Sequence, residues 1–466
     1  MVGPSSAEGV GALGDGASAA GGVGEPASLL GLFEGYVAIF VVAFGVTVLA
    51  TPIMRALAVS NGVVDRPLEA RKAHRAPVAY LGGIAVFLGL IAAFAFAFVA
   101  PMLPGWLFSP HASAFHELDL EASTMIPPSI LLGVAVITFV GLWDDVFGLD
   151  PRWKVAGQLF AAAALALAGV GVKVAAGVLA PVGAMLDNPE LVWSVPLPGV
   201  LPVVGDALTI DVMYWTGTAI IAVFVLGACN ASNLIDGLDG LLSGVTAIAT
   251  AALLVLALLM AQADDGPRDA VRIILCLSLL GATLGFLPHN FNPATIFLGD
   301  CGSLLLGYMT IVIILTLGDT GATHLVIAGL IIYSIPIIDT VLAIVRRKLS
   351  GRPMSAPDDQ HLHHMLKRAL GVKGAVFVLY GIGLAFGALG VWLAFGRVRV
   401  VLTVALVFAA YIGVTAVKVA RKQAIERAAL GTAAAPIGDP TSPPVAEQQK
   451  EAERAEPEGR AEAAGV

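Results

Sequence analysis

The stretch Asn290-Phe-Asn-Pro-Ala-Thr-Ile-Phe-Leu-Gly-Asp-Cys-Gly-Ser303 interrupts one apolar segment of helical length and opens the next. Its one carboxylate, Asp300, lies between Gly299 and the pair Cys301-Gly302, and glycine lets the backbone turn tightly there. A carboxylate exposed where a helix begins can form a metal or phosphate site at a membrane surface. The alternative is a glycine-rich turn whose Asp or Ser only caps the helix.

The composition indicates the environment of these apolar segments. Of the 466 residues, 58% are hydrophobic and only 13% are charged, and the mean hydropathy is +0.88. A water-soluble protein of this length does not need so large an apolar fraction. The sequence therefore predicts an all-α polytopic membrane protein.

Apolar runs long enough to cross a bilayer predict about eleven transmembrane helices. They cover roughly residues 33–58, 80–103, 127–144, 154–174, 213–229, 238–262, 270–287, 302–318, 323–345, 373–394 and 399–419. The stretch 187–212 is compatible with a small outer β-hairpin or with an irregular loop. We expect these spans to form one transmembrane domain over residues 31–420, between a disordered outer tail at 1–30 and a disordered cytoplasmic tail at 421–466.

The charges predict the orientation, because Lys and Arg concentrate in cytoplasmic loops. The loops after the first and ninth spans are basic, whereas those after the second and fourth carry Asp and Glu without Lys or Arg. This distribution places the amino terminus outside and the carboxyl terminus inside the plasma (inner) membrane. Arg397 and Arg399 contradict the rule locally, and the two large basic loops outweigh them.

The polar motifs all fall in odd-numbered loops, on the predicted cytoplasmic face. They are Asp65 to His74, Asp144-Asp145 with the nearby Lys154, Asn230 to Gly240, the Asp300 stretch and His361-Leu-His-His364. Unrelated polar loops would show no such bias. Convergence on one face therefore predicts a single site.

The carboxylates of this face suit phosphoryl transfer. Adjacent acids such as Asp144 and Asp145 repel each other unless a cation or hydrogen-bond donors neutralise them, although such a pair is also common at a solvated helix end. Asp236 and Asp239 would share a face if their segment were helical. With Asp300 they would form an oxygen-rich site, which favours Mg²⁺.

The cationic residues have two interpretations each. Arg71, Lys72 and His74 are candidates to clamp a pyrophosphate, or they serve orientation and anionic lipid headgroups. The histidines of the His361-Leu-His-His364 motif are candidate donors to phosphate oxygens, although all three cannot face one point. Asp339, inside the ninth predicted span, is either functional or the partner of a nearby structural group.

These motifs resemble those of the polyprenyl-phosphate N-acetylhexosamine-1-phosphate transferase family, glycosyltransferase family 4. The resemblance rests on Asp144-Asp145, Asn233-Leu-Ile-Asp-Gly-Leu-Asp-Gly240, Asn292-Pro-Ala-Thr-Ile-Phe-Leu-Gly-Asp-Cys-Gly-Ser303 and His361-Leu-His-His364, and covers roughly residues 33–420. The His-Leu-His-His form resembles the undecaprenyl/decaprenyl-phosphate N-acetylglucosaminyl 1-phosphate transferase branch. Cys301 departs from the Thr or Ala expected there, and predicts sensitivity to thiol reagents.

The resemblance implies a membrane enzyme that moves N-acetylglucosamine 1-phosphate from UDP-N-acetylglucosamine to polyprenyl phosphate, releases UMP and starts a lipid-linked cell-envelope glycan. Its expected cofactor is Mg²⁺, or Mn²⁺ in its place. Its expected partners are the UDP-N-acetylhexosamine, polyprenyl phosphate, the lipid bilayer and a second copy in a homodimer, without nucleic acid. A transporter of an anionic substrate is the alternative, although its site would usually lie near the bilayer midplane.

The resemblance also implies roles for individual residues. The expected catalytic residues are Asp144, Asp145, Asp300 and His361, of which Asp300 and Asp145 would bind the metal. The nucleotide base would lie near Asn290 and Phe297, and His361 would contact the diphosphate. The full set expected to bind substrate is Arg71, Lys72, His74, Lys154, Asn233, Asp236, Asp239, Asn290, Phe297, His363 and His364.

Overall fold

A computed structural model of the chain describes residues 29–65, 77–103, 126–196, 207–263, 269–349 and 361–433. Within these ranges the protein is built from α-helices with four short strands. The helices are α1 (Leu29–Ser60), α2 (Gly82–Val99), α3 (Pro128–Phe147), α4 (Pro151–Leu167), α5 (Ala176–Met185), α6 (Val212–Ile235), α7 (Leu241–Gln262), α8 (Asp269–Asn290), α9 (Gly299–Thr316), α10 (Thr323–Ile332), α11 (Ser334–Leu349), α12 (Leu362–Ala394) and α13 (Val398–Ala433). The strands are β1 (Val64–Asp65), β2 (Val78–Ala79), β3 (Val192–Pro196) and β4 (Ala207–Asp211), and short 3-10 turns cover Ala100–Met102 and Val172–Ala175.

The helices agree with the predicted spans in number and order. Nine helices in the described ranges are long and apolar enough to cross a membrane, and the number rises to 11 when each of two bent pairs counts as one span. The first bent pair joins α4 to the segment Val172–Met185 at 83°, and the second joins α10 to α11 at 80°. The ninth predicted span is therefore a broken helix rather than a continuous one.

Helix α9 is the centre of the bundle. It packs against α2, α3, α6 and α8, and 94% of its residues are buried. Its side chains are almost all apolar, so contacts with neighbouring helices surround it on every side. The exception is Asp300 in its first turn, which is half-buried. The helix that carries the motif carboxylate is thus the one held most firmly by packing.

Glycines let two helices approach the first turn of α9 directly. A Cβ atom at Gly83 of α2 would lie 2.1 Å from the backbone N of Gly302, and one at Gly141 of α3 would lie 2.5 Å from the Cα of Cys301. Any side chain at either glycine would push the helices apart. The backbones of α2, α3 and α9 are therefore in contact beside Asp300.

The stretch before α9 is tied to the start of α2 by backbone hydrogen bonds. Phe297 N donates to Ala79 O (2.9 Å), Gly82 N donates to Phe297 O (3.0 Å), and Gly83 N donates to Leu298 O (2.9 Å). These bonds satisfy polar groups that would otherwise be costly in a membrane. They also fix the direction in which the chain enters α9.

Two small antiparallel ribbons lie at opposite ends of the bundle. Strands β3 and β4 pair from Val192 with Asp211 to Pro196 with Ala207, which confirms the β-hairpin alternative. Strands β1 and β2 pair Val64 with Ala79, next to the stretch that leads into α9. The predicted clamp residues Arg71, Lys72 and His74 lie outside the described residues, as do the segments 1–28 and 434–466 of the predicted tails.

The contact between α3 and α9 leads to a prediction for Gly141→Ala. Overpacking of a tight interface costs about 1–3 kcal/mol, so we expect the thermal midpoint in detergent to fall by several degrees. The matched control is Gly227→Ala in α6, where a Cβ would meet nothing within 4 Å. There we expect an unchanged or slightly higher midpoint, because alanine favours helix. Equal midpoints for the two variants would contradict the close approach.

Candidate active site

Asp145, near the end of α3, caps the first turn of α9. Its Oδ1 accepts a hydrogen bond from Asp300 N (2.7 Å) and its Oδ2 accepts one from Cys301 N (2.9 Å). The first N–H groups of a helix have no partner inside the helix, and a carboxylate there also interacts favourably with the helix dipole. Gly299 is needed for this contact: it has φ +70°, and a Cβ on it would lie 2.4 Å from Asp145 Oδ2.

The hydrogen bonds of this cap matter for the prediction that Asp145 is a metal ligand. Both of its oxygens already accept backbone hydrogen bonds from α9. In this structure Asp145 therefore acts on the position of Asp300, and its direct binding of a metal stays a prediction.

Lys154 bridges two of the predicted catalytic acids. Its Nζ lies 2.6 Å from Asp144 Oδ2 and 2.6 Å from Asp300 Oδ2. The other oxygen of Asp144 accepts a hydrogen bond from Leu149 N (2.7 Å), in the short connection to α4. The ammonium group thus holds together acids from α3 and α9, and it occupies a position between carboxylate oxygens that suits a cation.

Asn233 orients Asp300 from the other side. Its Nδ2 donates to Asp300 Oδ1 (2.8 Å) and also lies 3.0 Å from Ser303 Oγ. Both oxygens of Asp300 therefore have a partner, one from α4 and one from α6. The carboxylate cannot rotate without breaking one of these contacts.

Asp236 and Asp239 do not share a helical face, because the segment between α6 and α7 that contains them is not helical. Asp239 Oδ2 accepts hydrogen bonds from Asn292 Nδ2 (2.8 Å) and Ala294 N (3.0 Å), so this side chain supports the stretch before α9. Asp236 instead faces the other acids. Burial raises the pKa of Asp236 to about 8, with smaller contributions from the negative charges of Asp300, Asp145 and Asp239.

Two residues expected near the nucleotide base make contacts within the protein, and their place beside the base stays a prediction. Asn290 is buried: its Oδ1 accepts a hydrogen bond from Ser243 Oγ (2.8 Å) and its Nδ2 donates to Ile296 O (3.1 Å). Its amide therefore stabilises the loop that leads to α9. Phe297 is half-buried, and its ring centroid lies 6.1 Å from that of Tyr80.

Tyr80 is a site residue that sequence reasoning missed. Burial raises the pKa of its phenol, and the charges of Asp65, Asp145, Asp236 and Asp300 raise it further, which places the ring among the acids. The available signal was the pair Gly82-Gly83 that follows it in the sequence. Tyr80 was assigned to a membrane span by its apolar neighbours, whereas helix α2 begins only at Gly82.

The histidine motif lies at the start of α12. His361 and His363 are buried, and both place Nδ1 against Asp339 Oδ2, at 3.0 Å and 3.2 Å. His364 is half-buried and its ring centroid lies 4.3 Å from that of His363. Two of the three rings thus face a single carboxylate. The ring of His363 also reaches Gly237, next to Asp236.

The site holds more acidic side chains than cationic ones. Four carboxylates, those of Asp144, Asp145, Asp236 and Asp300, are gathered with the one ammonium of Lys154 among the described residues. Like charges this close raise the free energy of the ionised state unless a cation compensates them. Oxygen donors of this kind are the ligands that Mg²⁺ prefers, so the residues present fit a divalent metal ion.

Cys301 is fully buried against Gly141. The expected sensitivity of the site to thiol reagents is therefore wrong for the folded protein, since a reagent cannot reach the sulfur.

Comparisons with known proteins agree with this geometry. The family described as Glycosyl transferase family 4 matches residues 127–318, which contain every acid of the cluster. A relative from Bacillus subtilis (strain 168), named "Probable undecaprenyl-phosphate N-acetylglucosaminyl 1-phosphate transferase", is 32% identical over 349 residues, which are 74% of this chain and 82% of the relative. The chain belongs to glycosyl transferase family 4.

Two further relatives of this family 4 chain are similar over most of their length. "Decaprenyl-phosphate N-acetylglucosaminephosphotransferase" of Mycobacterium leprae (strain TN) is 33% identical over 69% of this chain and 74% of its own. "Undecaprenyl-phosphate alpha-N-acetylglucosaminyl 1-phosphate transferase" of Escherichia coli (strain K12) is 29% identical over 70% of this chain and 74% of its own. Membership of a transferase family does not support the alternative of an anion transporter. With its membrane-length helices, the chain is a multi-pass membrane protein.

The raised pKa of Asp236 predicts a pH-dependent stability. In the unfolded chain this carboxyl loses its proton near pH 3.8, whereas in the folded protein it keeps it up to about pH 8. Between these values the folded state binds more protons, so the stability that Asp236 contributes falls as pH rises. In EDTA we expect Asp236→Asn to raise the thermal midpoint, and to raise it more at pH 8.5 than at pH 6.

The control for this prediction is Glu190→Gln, an exposed acid beside the β3–β4 hairpin, at the other end of α6. We expect this variant to shift the midpoint equally at both pH values. A gain for Asp236→Asn that does not depend on pH would show that the carboxyl is not buried among other acids.

Proposed function

We propose that the chain transfers N-acetylglucosamine 1-phosphate from UDP-N-acetylglucosamine to a polyprenyl phosphate and releases UMP. The names of the three relatives support the acceptor and the sugar. The observation that carries the proposal is the bridge from Lys154 to Asp144 and Asp300, because it gathers acids and a cation where membrane-length helices end. That is where a lipid phosphate and a water-soluble nucleotide can meet.

The reaction makes modest demands on a general base. The second pKa of a phosphate monoester is about 6, so the acceptor is already an anion near neutral pH. Its oxygen attacks the phosphorus attached to the sugar, the anhydride bond to the uridine phosphate breaks, and UMP leaves with that bonding pair. The barrier is then largely the approach of two anions, in line.

The residues of the site are prepared for this approach. Asp300 is oriented by Lys154 and Asn233, and Asp144 is oriented by Lys154 and the N–H of Leu149. Groups held in advance need not reorganise as charge moves in the transition state. Lys154 can donate to a phosphate oxygen of either substrate, since an ammonium group has three N–H donors.

Asp300 and Asp144 would bind Mg²⁺, and Asp236 lies nearby. Asp145 would maintain the turn that positions Asp300. When bound, the ion would neutralise phosphate charge and polarise the phosphoryl group. The support for it is the excess of carboxylates around Lys154. Mn²⁺ would fit the same oxygen ligands.

The orientation of the protein follows from the same assignment. UDP-sugars are cytoplasmic substrates, so we place the acidic cluster at the cytoplasmic face of the inner membrane, with the amino terminus outside. The support is the basic character of the loops on that side. A homodimer remains a prediction from the resemblance.

A direct assay tests the reaction. Purified full-length chain in detergent, given UDP-N-acetylglucosamine, is expected to release UMP only when undecaprenyl phosphate is present. In a panel of UDP-sugars we expect UDP-N-acetylglucosamine to give the highest kcat/KM. Acceptor-independent release of UMP, or no release from any UDP-sugar, would refute the transferase proposal.

The Asp300 carboxylate is expected to be indispensable. We expect Asp300→Ala to lower kcat by about 10³-fold, since preorganised groups at the reacting phosphate contribute that much. EDTA is expected to stop the wild type, and added Mg²⁺ to restore it. Glu190→Gln, far from the cluster, is expected to keep wild-type rates. Near-normal, Mg²⁺-dependent turnover by Asp300→Ala would show that the metal is bound elsewhere.

A further inference from the structure

Asp339 is a buried acid within the bent ninth span. It lies in α11, six residues after the break at Tyr333, and only 1% of it is exposed. A carboxylate so placed is costly unless other groups compensate it, and such acids often have a functional role. No step of the proposed transfer reaction involves Asp339.

Three donors converge on this carboxylate from the start of α12. His361 Nδ1 lies 3.0 Å and His363 Nδ1 lies 3.2 Å from Asp339 Oδ2, while Leu362 N donates to Oδ1 at 2.8 Å. Consecutive residues of the motif are thus held by one side chain. The contact fixes both the beginning of α12 and the direction of two imidazole rings.

The contact also determines which ring nitrogen remains for a ligand. A carboxylate that receives Nδ1–H holds the proton on that nitrogen, so Nε2 faces away from it. A ring that carries both protons can then donate from Nε2 to a phosphate oxygen.

One of these nitrogens points toward the acidic site. His363 Nε2 is buried, and the described residues offer it no hydrogen-bond partner. A Cβ built on Gly237 would lie 2.7 Å from this atom, so the ring packs directly on the turn that carries Asp236. The structure thus links Asp339, through His363, to the rim of the cluster.

We propose that Asp339 is a positioning residue, which orients His361 and His363 so that the Nε2 atom of His363 can bind the diphosphate of the nucleotide sugar. The proposal rests on the transferase function given above and adds a residue to its donor site. Asp339 itself does not touch the substrate, and it acts through the histidines.

The same three side chains could instead bind a metal ion. One ligand atom from each of Asp339, His361 and His363 lies within 4.8 Å of the others. The hydrogen bond from Leu362 N to the same carboxylate favours the positioning role, since it makes Asp339 the anchor of a helix start as well. The metal alternative is decided by measuring zinc in the purified protein.

The test compares Asp339→Asn with the wild type in steady-state kinetics. We expect the KM for UDP-N-acetylglucosamine to rise about 10–100-fold, the range seen when a group that orients a histidine is lost. The KM for undecaprenyl phosphate is expected to stay within about twofold, since the acceptor meets other residues. Calorimetric binding of UDP in the presence of Mg²⁺ is expected to weaken by the same factor as the KM rises.

A triple variant separates positioning from general damage. If Asp339 acts through His361 and His363, adding Asp339→Asn to His361→Ala and His363→Ala is expected to change UDP affinity no further. Asp319→Asn is the matched control, because Asp319 accepts a backbone hydrogen bond from Gly171 (2.9 Å) at the far end of α9. We expect this control to leave both KM values unchanged.

Several results would overturn the proposal. They are an unchanged UDP affinity in Asp339→Asn, full additivity with the histidine variants, or one zinc ion per chain that Asp339→Asn removes. A wild type that binds UDP but never releases UMP would refute the transferase function and not this proposal. A loss of UDP affinity in Asp339→Asn would still support it in that case.

Discussion

The carboxylate of Asp145 under the first turn of α9 is the contact on which the site depends. Helix α9 is buried along nearly its whole length, so water cannot satisfy its first N–H groups. Asp145 satisfies two of them, and Gly299 and Gly141 leave the room that this requires. Because one of those N–H groups belongs to Asp300, the cap that stabilises the helix also sets the distance between α3 and the functional carboxylate. Stability and function are served here by the same hydrogen bonds.

The gathering of acids in one place is electrostatically unfavourable. Lys154 compensates part of the charge, whereas burial, with smaller contributions from the neighbouring acids, raises the pKa of Asp236. Under the proposed function, a divalent ion and phosphate-bearing substrates would bind here together, because each would relieve the charge of the other. Their binding would then recover the free energy that the protein loses by bringing acids together.

The sequence predicted what depends on local pattern. Hydropathy gave the number and order of spans, and the positions of charged residues relative to those spans indicated which motifs would meet, as Asp144, Lys154 and Asp300 do. It did not predict what depends on contacts between distant segments. Asp236 and Asp239 face different partners because the turn between α6 and α7 is not helical. Asn290 stabilises its loop because it hydrogen-bonds to Ser243 and Ile296. Tyr80 enters the site because hydrogen bonds to residues more than 200 positions away hold its strand there.

Asp339 illustrates why the partner of a buried charge is hard to predict from sequence distance. Arg346 and Arg347 are its near neighbours in the chain, and a helical register could have brought one of them to it. Yet the bend of 80° between α10 and α11 redirects the chain, and the imidazoles of His361 and His363 arrive at the carboxylate from α12. In a low-dielectric interior the partner must match in direction as well as in charge, since an acid there is stabilised mainly by donors aimed at its oxygens. Imidazole is a planar donor with a second nitrogen on its far side, so pairing with histidine satisfies the acid and still leaves a polar atom for a ligand. Arginine would also compensate the charge and keep N–H donors for a ligand, but only donors, whereas the second nitrogen of histidine donates or accepts according to its protonation.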